Sequence, residues 1–274
     1  MPRPMRLFLR ALASVTIAGF ALFPILFGLA TSLKPSGEIL RYPPTFLPQS
    51  PTLAHYREIF ASGTLGYIWN SFFVSAATVV LCLGIGALAA YPLARLQFRG
   101  KSAIMVLIVV VMSVPVASLL IPTYTLIADV GLVNTHLGLI LVYSAYQLPI
   151  VIWILAAYYQ SLPQELEWSA LIDGYSRLEV LWKIILPLAR PGLIAATLFV
   201  VTFTWNDFVV AVTLLASDET RTLPIGIYNF LGFYGREWGP LLAAAMVATL
   251  PILVLFVFLQ RYFLAGMTGG SVKG

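Results

Sequence analysis

Charge is what this sequence has least of: Asp, Glu, Lys and Arg make up 10% of its 274 residues, where a soluble domain carries about 25%. A chain that is also 60% hydrophobic reads as an integral membrane protein. Cysteine occurs once, as Cys82 in an apolar run. That excludes an intrachain disulfide or a multi-cysteine metal site and leaves the role of a small buried apolar residue. His55 and His136 both fall in loops on the side opposite the termini, with no second histidine at metal-ligating spacing. Gly100-Lys101-Ser102 looks like the end of a phosphate-binding loop, but that motif needs glycine at position 95, where Arg95 stands. There is no G-x-S-x-G and no pair of intramembrane carboxylates, so hydrolytic chemistry has no residues to run on and an enzyme is not expected. Neither a 20 to 50 residue repeat nor a low-complexity segment is present.

What is present is a series of apolar runs, and a helix needs about 20 such residues to cross ~30 Å of hydrocarbon. The runs predict six spans: Ala11 to Leu33, about Gly66 to Ala90, Ser102 to Leu126, Leu137 to Tyr159, Pro191 to Leu215 and Leu241 to Gln260. The first is read as a retained helix, because the run is long and no small-residue cleavage site follows it cleanly. Pro115 and Pro122 lie inside the third span and Pro149 inside the fourth. Kinks there are tolerated where neighbouring helices re-satisfy the freed carbonyls, which suggests a packed bundle. Lys34 to Gly63 is a proline-rich polar loop with a short helix-like piece around Tyr56 and Phe60, long enough to touch a partner.

The net charge of +5 is explained by topology. The amino end, the loop after span two, the stretch after span four and the tail hold 11 Lys and Arg, against 5 in the opposite loops. The positive-inside rule therefore puts both termini and the central stretch in the cytoplasm, and nucleic acid is not needed to account for the charge.

That central stretch, Ser161 to Gly192, is the longest polar interval that still carries helical signals. Ser161 with Gln164, and Ser176 with Glu179, each match the S/T-x-x-E/Q capping box and predict two helix starts. Asp173-Gly174 between them is a turn dipeptide. In the second helix Leu178, Leu181, Trp182, Ile185 and Leu188 predict one apolar stripe, ended by Pro187 and Pro191. Such a helix-turn-helix needs a protein surface to lie on; the alternative is an amphipathic hairpin lying on lipid.

One intramembrane charge stands out, in Trp205-Asn206-Asp207 of span five. A carboxylate in the bilayer is costly unless it faces a cavity or a partner, so the triplet reads either as a polar lining of a translocation path, with Trp205 stacking on a sugar ring, or as the outer interface beside an aromatic-belt tryptophan.

With the polar stretch between spans four and five, the chain resembles the inner-membrane permease subunits of binding-protein-dependent ABC importers, in particular the sugar-importer subfamily that includes the six-span permease of the maltose system. The family's loop carries E-A-A, a D-G pair beginning three positions after its last alanine, and a run ending in L-P-L and a further proline. Here Asp173-Gly174, Leu186-Pro187-Leu188 and Pro191 match, with Pro163, Glu165, Leu166 and Glu167 as the usual approach. Asn70-Ser71, Ala90-Tyr91, Phe98 and Gly100, Ile121-Pro122, Gly131-Leu132, Asn134-Thr135, Leu148-Pro149 and Trp205-Asn206-Asp207 extend the match from about Pro35 to the C-terminus. The chain departs from the pattern at the triplet, which reads Trp168-Ser169-Ala170, and at Tyr175, where alanine is usual.

The resemblance implies an all-α, six-span polytopic permease of the ABC type I importer fold. It would form one transmembrane domain over 1–274, with a cytoplasmic coupling loop at 161–191, in a bacterial or archaeal cytoplasmic (inner) membrane. It implies ATPase coupling through Glu165, Glu167, Trp168, Ala170, Asp173, Gly174, Leu186 and Pro187. Because the family's acid is replaced by Trp168, the grip is expected to be more apolar, and Glu167, about 100° round the helix, is no obvious substitute. A translocation path past Trp205, Asn206 and Asp207 is implied, as is binding-protein contact through Tyr228, Asn229, Phe230 and Gly232, although that aromatic loop equally fits an interfacial segment. The implied partners are a second homologous permease, two ATP-binding subunits that hold the ATP and Mg, an extracytoplasmic solute-binding protein and a sugar-like substrate. No cofactor is expected on this chain. Polyols and glycerol-phosphate esters are alternative substrates, and a self-contained secondary transporter is the rival class, disfavoured by the lone carboxylate and the lack of repeats.

Overall fold

A computed structural model of the chain describes residues 3–231 and 237–269, with side chains for 5, 7, 9–231 and 237–260. Every regular element among the described residues is helical. In order they are α1 (Arg3–Ser32), α2 (Ser36–Ile39), α3 (Ala54–Ala61), α4 (Thr64–Arg95), α5 (Lys101–Met112), α6 (Val116–Asp129), α7 (His136–Ser161), α8 (Glu165–Ile172), α9 (Arg177–Val180), a π-helical turn (Leu181–Ile185), α10 (Leu186–Leu188), α11 (Arg190–Asn206), α12 (Val209–Leu214), α13 (Leu223–Tyr228), a 3-10 turn (Asn229–Leu231) and α14 (Trp238–Gly269).

Among the described residues, four helices are long and apolar enough to cross a membrane, Leu9–Ser32 of α1, α4, α7 and Trp238–Gln260 of α14, and the number rises to six if each of two bent helix pairs is one span. The first pair covers the expected third span. Lys101–Met112 and Val116–Asp129 meet at 97°, so the segment is two arms rather than one kinked helix. Pro115 has no amide to continue the α5 ladder and biases Val114 away from helix, so the chain restarts at Val116. The fifth span is also divided: α11 stops at Asn206 and α12 starts at Val209.

The chain falls into two compact units, one made of Met1–Leu65 with Gly226–Pro251 and the other of Gly66–Ile225 with Ile252–Gly274. In the first, Ile59 of α3 packs with Ala243 and Ala244 of α14, and Phe230 leans on the same cluster. His55 is buried and its Nε2 bonds the Lys34 carbonyl at 3.0 Å, so this histidine is a satisfied packing residue.

The second unit is organised on α7, whose Leu139, Tyr143, Val151, Leu155 and Tyr159 are fully buried. One core cluster joins Leu139 and Tyr143 to Val74 of α4 and to Val210 and Leu214 of α12. The other joins Val151, Leu155 and Tyr159 to Cys82 and Tyr91 of α4, Ile185 of the π turn, and Ala196 and Val200 of α11. The segment Ala216–Leu223 is clipped down. Asn134 Oδ1 accepts from the Ala216 and Ser217 amides at 2.9 and 3.0 Å, the Asn70 amide donates to the carbonyls of Glu219 and Arg221, and Ser71 Oγ accepts from the Leu223 amide. Asn134, Asn70 and Ser71 thus hold a loop against the ends of two apolar helices, where unpaired backbone groups are costly.

Candidate functional site

The polar stretch after α7 folds as the expected helix-turn-helix, with one of its two caps displaced. Ser161 does not start α8. It is the last residue of α7 and its hydroxyl donates to the Tyr158 carbonyl. Pro163 holds Leu162 extended at φ −81°, ψ 142°, so α8 can begin only at Glu165. The second box is formed as expected, with Ser176 Oγ accepting from the Glu179 amide and Glu179 Oε2 accepting from the Ser176 amide at 2.9 Å.

Between the helices Gly174 has φ +89°, a conformation that needs glycine. The Tyr175 amide donates to the Ala170 carbonyl and the Gly174 amide to the Leu171 carbonyl, the two bonds of a Schellman termination. Lys183 then ties the turn to α9, donating to Glu179 Oε1 at 3.0 Å and standing 4.8 Å from the centre of the Tyr175 ring. The Ser176 amide first, and then Lys183, hold the Glu179 carboxyl down at about 2. Since this lies below its ordinary value of 4.5, the cap's contribution is whole above that pH and fades as pH falls through the folded value. Amide exchange in Arg177–Val180 is therefore expected to quicken, beyond its intrinsic pH dependence, as pH drops from about 5 toward 2; an unchanged protection factor would contradict this.

The expected apolar stripe is split. Leu181 and Ile185 are buried with Val180 and Ala189, whereas Leu178, Trp182 and Leu188 are exposed. The π turn supplies the reason: its wider spacing shifts the register that 3.6-residue counting assumes. One face therefore packs on the α7 and α11 core while the other carries Leu178 and Trp182 outward. Leu166, Trp168, Ile172 and Tyr175 of α8 and the turn are exposed too, Trp168 at 57% and Ile172 at 85%. So much uncovered apolar surface on a charged, capped hairpin marks an interaction face.

Of the residues expected to couple, Glu165, Trp168, Asp173, Gly174 and Pro187 are exposed, Leu186 is half-buried and Ala170 is buried. Glu167 is set apart from that outer face. It is buried, its Oε1 ion-pairs with Arg95 Nε, and its Oε2 accepts from the Tyr91 hydroxyl at 3.1 Å. Arg95 Nη2 also donates to the Leu162 carbonyl at 3.0 Å. The sequence reading uses Arg95 as a topological charge and as the residue that breaks a phosphate-loop match, and nothing in it pairs Arg95 with Glu167.

The second candidate set is local to the α11–α12 break. Asp207 Oδ2 accepts from the Tyr143 hydroxyl at 2.8 Å and from the Val210 and Ala211 amides at 3.1 Å, so the carboxylate caps α12 and ties it to α7. Asn206 is exposed and its side-chain amide donates to the Thr202 carbonyl. Trp205 is buried, so its ring offers no free face for stacking on a sugar in this conformation. Asp207→Ala is expected to lower the stability of the purified protein by about 1–2 kcal/mol, with Asp207→Asn within about 0.5 kcal/mol of the parent, because asparagine caps nearly as well; thermal unfolding in detergent measures both. In the third set, Tyr228 and Asn229 are exposed and Phe230 is half-buried on the Ile59 cluster, while Gly232 lies outside the described residues.

Residues 82–269 match the family model of the binding-protein-dependent transport system inner membrane component. The chain belongs to this family. It is accordingly a multi-pass inner-membrane permease subunit, a transport component rather than an enzyme, that works with a binding protein. The permease is 34% identical to the sulfoquinovosyl glycerol transport system permease protein of Agrobacterium fabrum, over 97% of this chain and 94% of that one. It is 35% identical to the trehalose transport system permease protein of Mycobacterium tuberculosis, over 96% and 97%. The same fold occurs in a bacterial ABC transporter involved in the import of the acidic polysaccharide alginate, with TM-score 0.80 and 22% identity over 96% of the permease and 99% of that chain.

Proposed function

We propose that the permease conducts a carbohydrate into the cell, delivered by an extracytoplasmic solute-binding protein and driven by two ATP-binding subunits that dock on the α8–α9 hairpin. A second, homologous permease completes the membrane channel, and ATP and Mg belong to the ATP-binding subunits. The observation that carries this reading is the hairpin itself: an apolar outer face on a rigid, capped helix pair whose inner face is continuous with the bundle core. A push on such an element moves as a rigid body into α7 and α11. The basic residues at 177, 183 and 190 support a cytoplasmic position for it. The sugar class is supported by the relatives named for trehalose and sulfoquinovosyl glycerol.

Uptake by the complete importer in proteoliposomes, with its binding protein outside and ATP inside, tests this. Labelled di- and oligosaccharides are expected to accumulate only with both ATP and binding protein. Accumulation of polyols or glycerol-phosphate esters instead would replace the substrate class, and uptake driven by an ion gradient without ATP would overturn the reading.

A further inference from the structure

The buried cluster at the base of the hairpin has no place in the docking face. Arg95 closes α4 and Glu167 lies in the first turn of α8, yet their side chains are only 4% and 7% exposed and form an ion pair. Tyr91, one helical turn before Arg95, donates to the free carboxylate oxygen, and Arg177 of α9 lies against the same hydroxyl. Arg95 also takes the Leu162 carbonyl, which the Leu162-Pro163 break leaves without a helical partner. A single guanidinium therefore grips both sides of the α7–α8 break and fastens them to α4. Beside it is a cavity of about 440 Å³ lined by Arg95, Gln97, Gln164, Glu167, Trp168 and Arg177.

A buried pair is weak evidence for stability, since well-packed apolar residues often do as well, but it fixes one geometry strongly because either charge alone is costly there. We infer that Arg95, Glu167 and Tyr91 are positioning residues for coupling: they lock α8 to the ends of α4 and α7, so that motion delivered to the hairpin is passed to these two helices instead of being lost in a hinge at Leu162-Pro163. The inference rests on the docking role proposed above for α8 and α9. Trp168 meets the partner; Arg95 and Glu167 transmit.

The test is a double-mutant cycle in the assembled importer, with Arg95→Gln, Glu167→Gln and the pair together, reading substrate transported per ATP hydrolysed and the amount of ATP-binding subunit retained on purification. Each single change is expected to lower the transport-to-hydrolysis ratio roughly ten-fold, and the double change no further than the worse single, since the two act as one unit. The ATP-binding subunits are expected to stay bound to Arg95→Gln. Glu167→Asp, which keeps the charge but draws it back by one methylene, is the milder variant if Glu167→Gln fails to assemble, and an intermediate ratio is expected of it. An unchanged ratio, additive losses, or release of the ATP-binding subunits by Arg95→Gln would overturn the inference. Trp168→Glu run alongside separates the two ideas. If it leaves the subunits bound and coupled, the docking role itself fails; if it releases them while the Arg95 and Glu167 variants transport normally, only the positioning role fails.

Discussion

Trp168→Glu is expected to abolish binding-protein-stimulated ATP hydrolysis and uptake in the assembled importer while the permease itself still folds. The side chain stands out from α8 between Leu166 and Ile172 and contributes nothing to the bundle core. Central tryptophans of protein interfaces typically cost about 2–4 kcal/mol on truncation, roughly 30- to 1,000-fold in affinity. Glutamate loses that contact and also puts a charge into a face that must be desolvated on docking. It restores, in part, the acid that the family carries at this position, so the variant also asks which solution this chain uses. Retained ATP-binding subunit with normal stimulation would mean the grip is elsewhere. Thermal unfolding of the variant in detergent is expected to match the parent within about 0.5 kcal/mol, as for other surface changes.

The second large effect is expected in the helix seam behind the hairpin. The chain turns through 78° between Arg177–Leu188 and Arg190–Asn206, and α11 then runs along α7 with Gly192, Ala196 and Val200 buried. A β-carbon added at Gly192 would lie 2.6 Å from Tyr158 Cγ and 2.9 Å from its Cβ and Cδ2. Those atoms belong to the stem of the ring, close to the α7 backbone, and have little room to swing away. Gly192→Leu should therefore part α7 from α11, with a loss of about 3 kcal/mol or more and a sharply reduced yield of folded protein, and Gly192→Ala should cost about 1–3 kcal/mol. Gly84 serves as the control. It is exposed on α4 and a β-carbon there meets nothing within 4 Å, so Gly84→Leu is expected to be neutral in the same assay. Equal unfolding temperatures for the Gly192 and Gly84 variants would contradict the close packing.

The apolar runs were enough to locate the long helices, because hydropathy over about 20 residues depends only on bilayer thickness. Where the sequence reading failed, a local signal was overruled by a neighbour. Ser161 and Gln164 have the chemistry of a capping box, but Pro163 sits between them and moves the helix start to Glu165. Leu178 to Leu188 count as one stripe only at 3.6 residues per turn, and the π turn at Leu181–Ile185 breaks that count. Asp207 was ambiguous between a cavity wall and the membrane interface. The structure adds a third role, a cap at a helix break, set by Tyr143 on another helix.

The Arg95–Glu167 pair was the least accessible to sequence reasoning. Each residue has an explanation by itself, Arg95 as a topological charge and Glu167 as part of the usual approach to the family's loop motif. Only folding brings them together. The turn at Asp173-Gly174 and the cap at Ser176 were readable because their chemistry is complete within a few residues.

The ATP-binding subunits are proposed to act on the outer face of α8 and α9. Because the one native cysteine, Cys82, is buried, a cysteine placed by Ile172→Cys is the accessible thiol for a short cross-linker on this hairpin. Membranes carrying the complete importer should give a product between Ile172→Cys and an ATP-binding subunit, with a yield that changes when ATP is trapped. Leu40→Cys, an exposed position in the loop after α1, should give none. A Leu40→Cys product with the ATP-binding subunit, or an Ile172→Cys product with the solute-binding protein, would contradict the account.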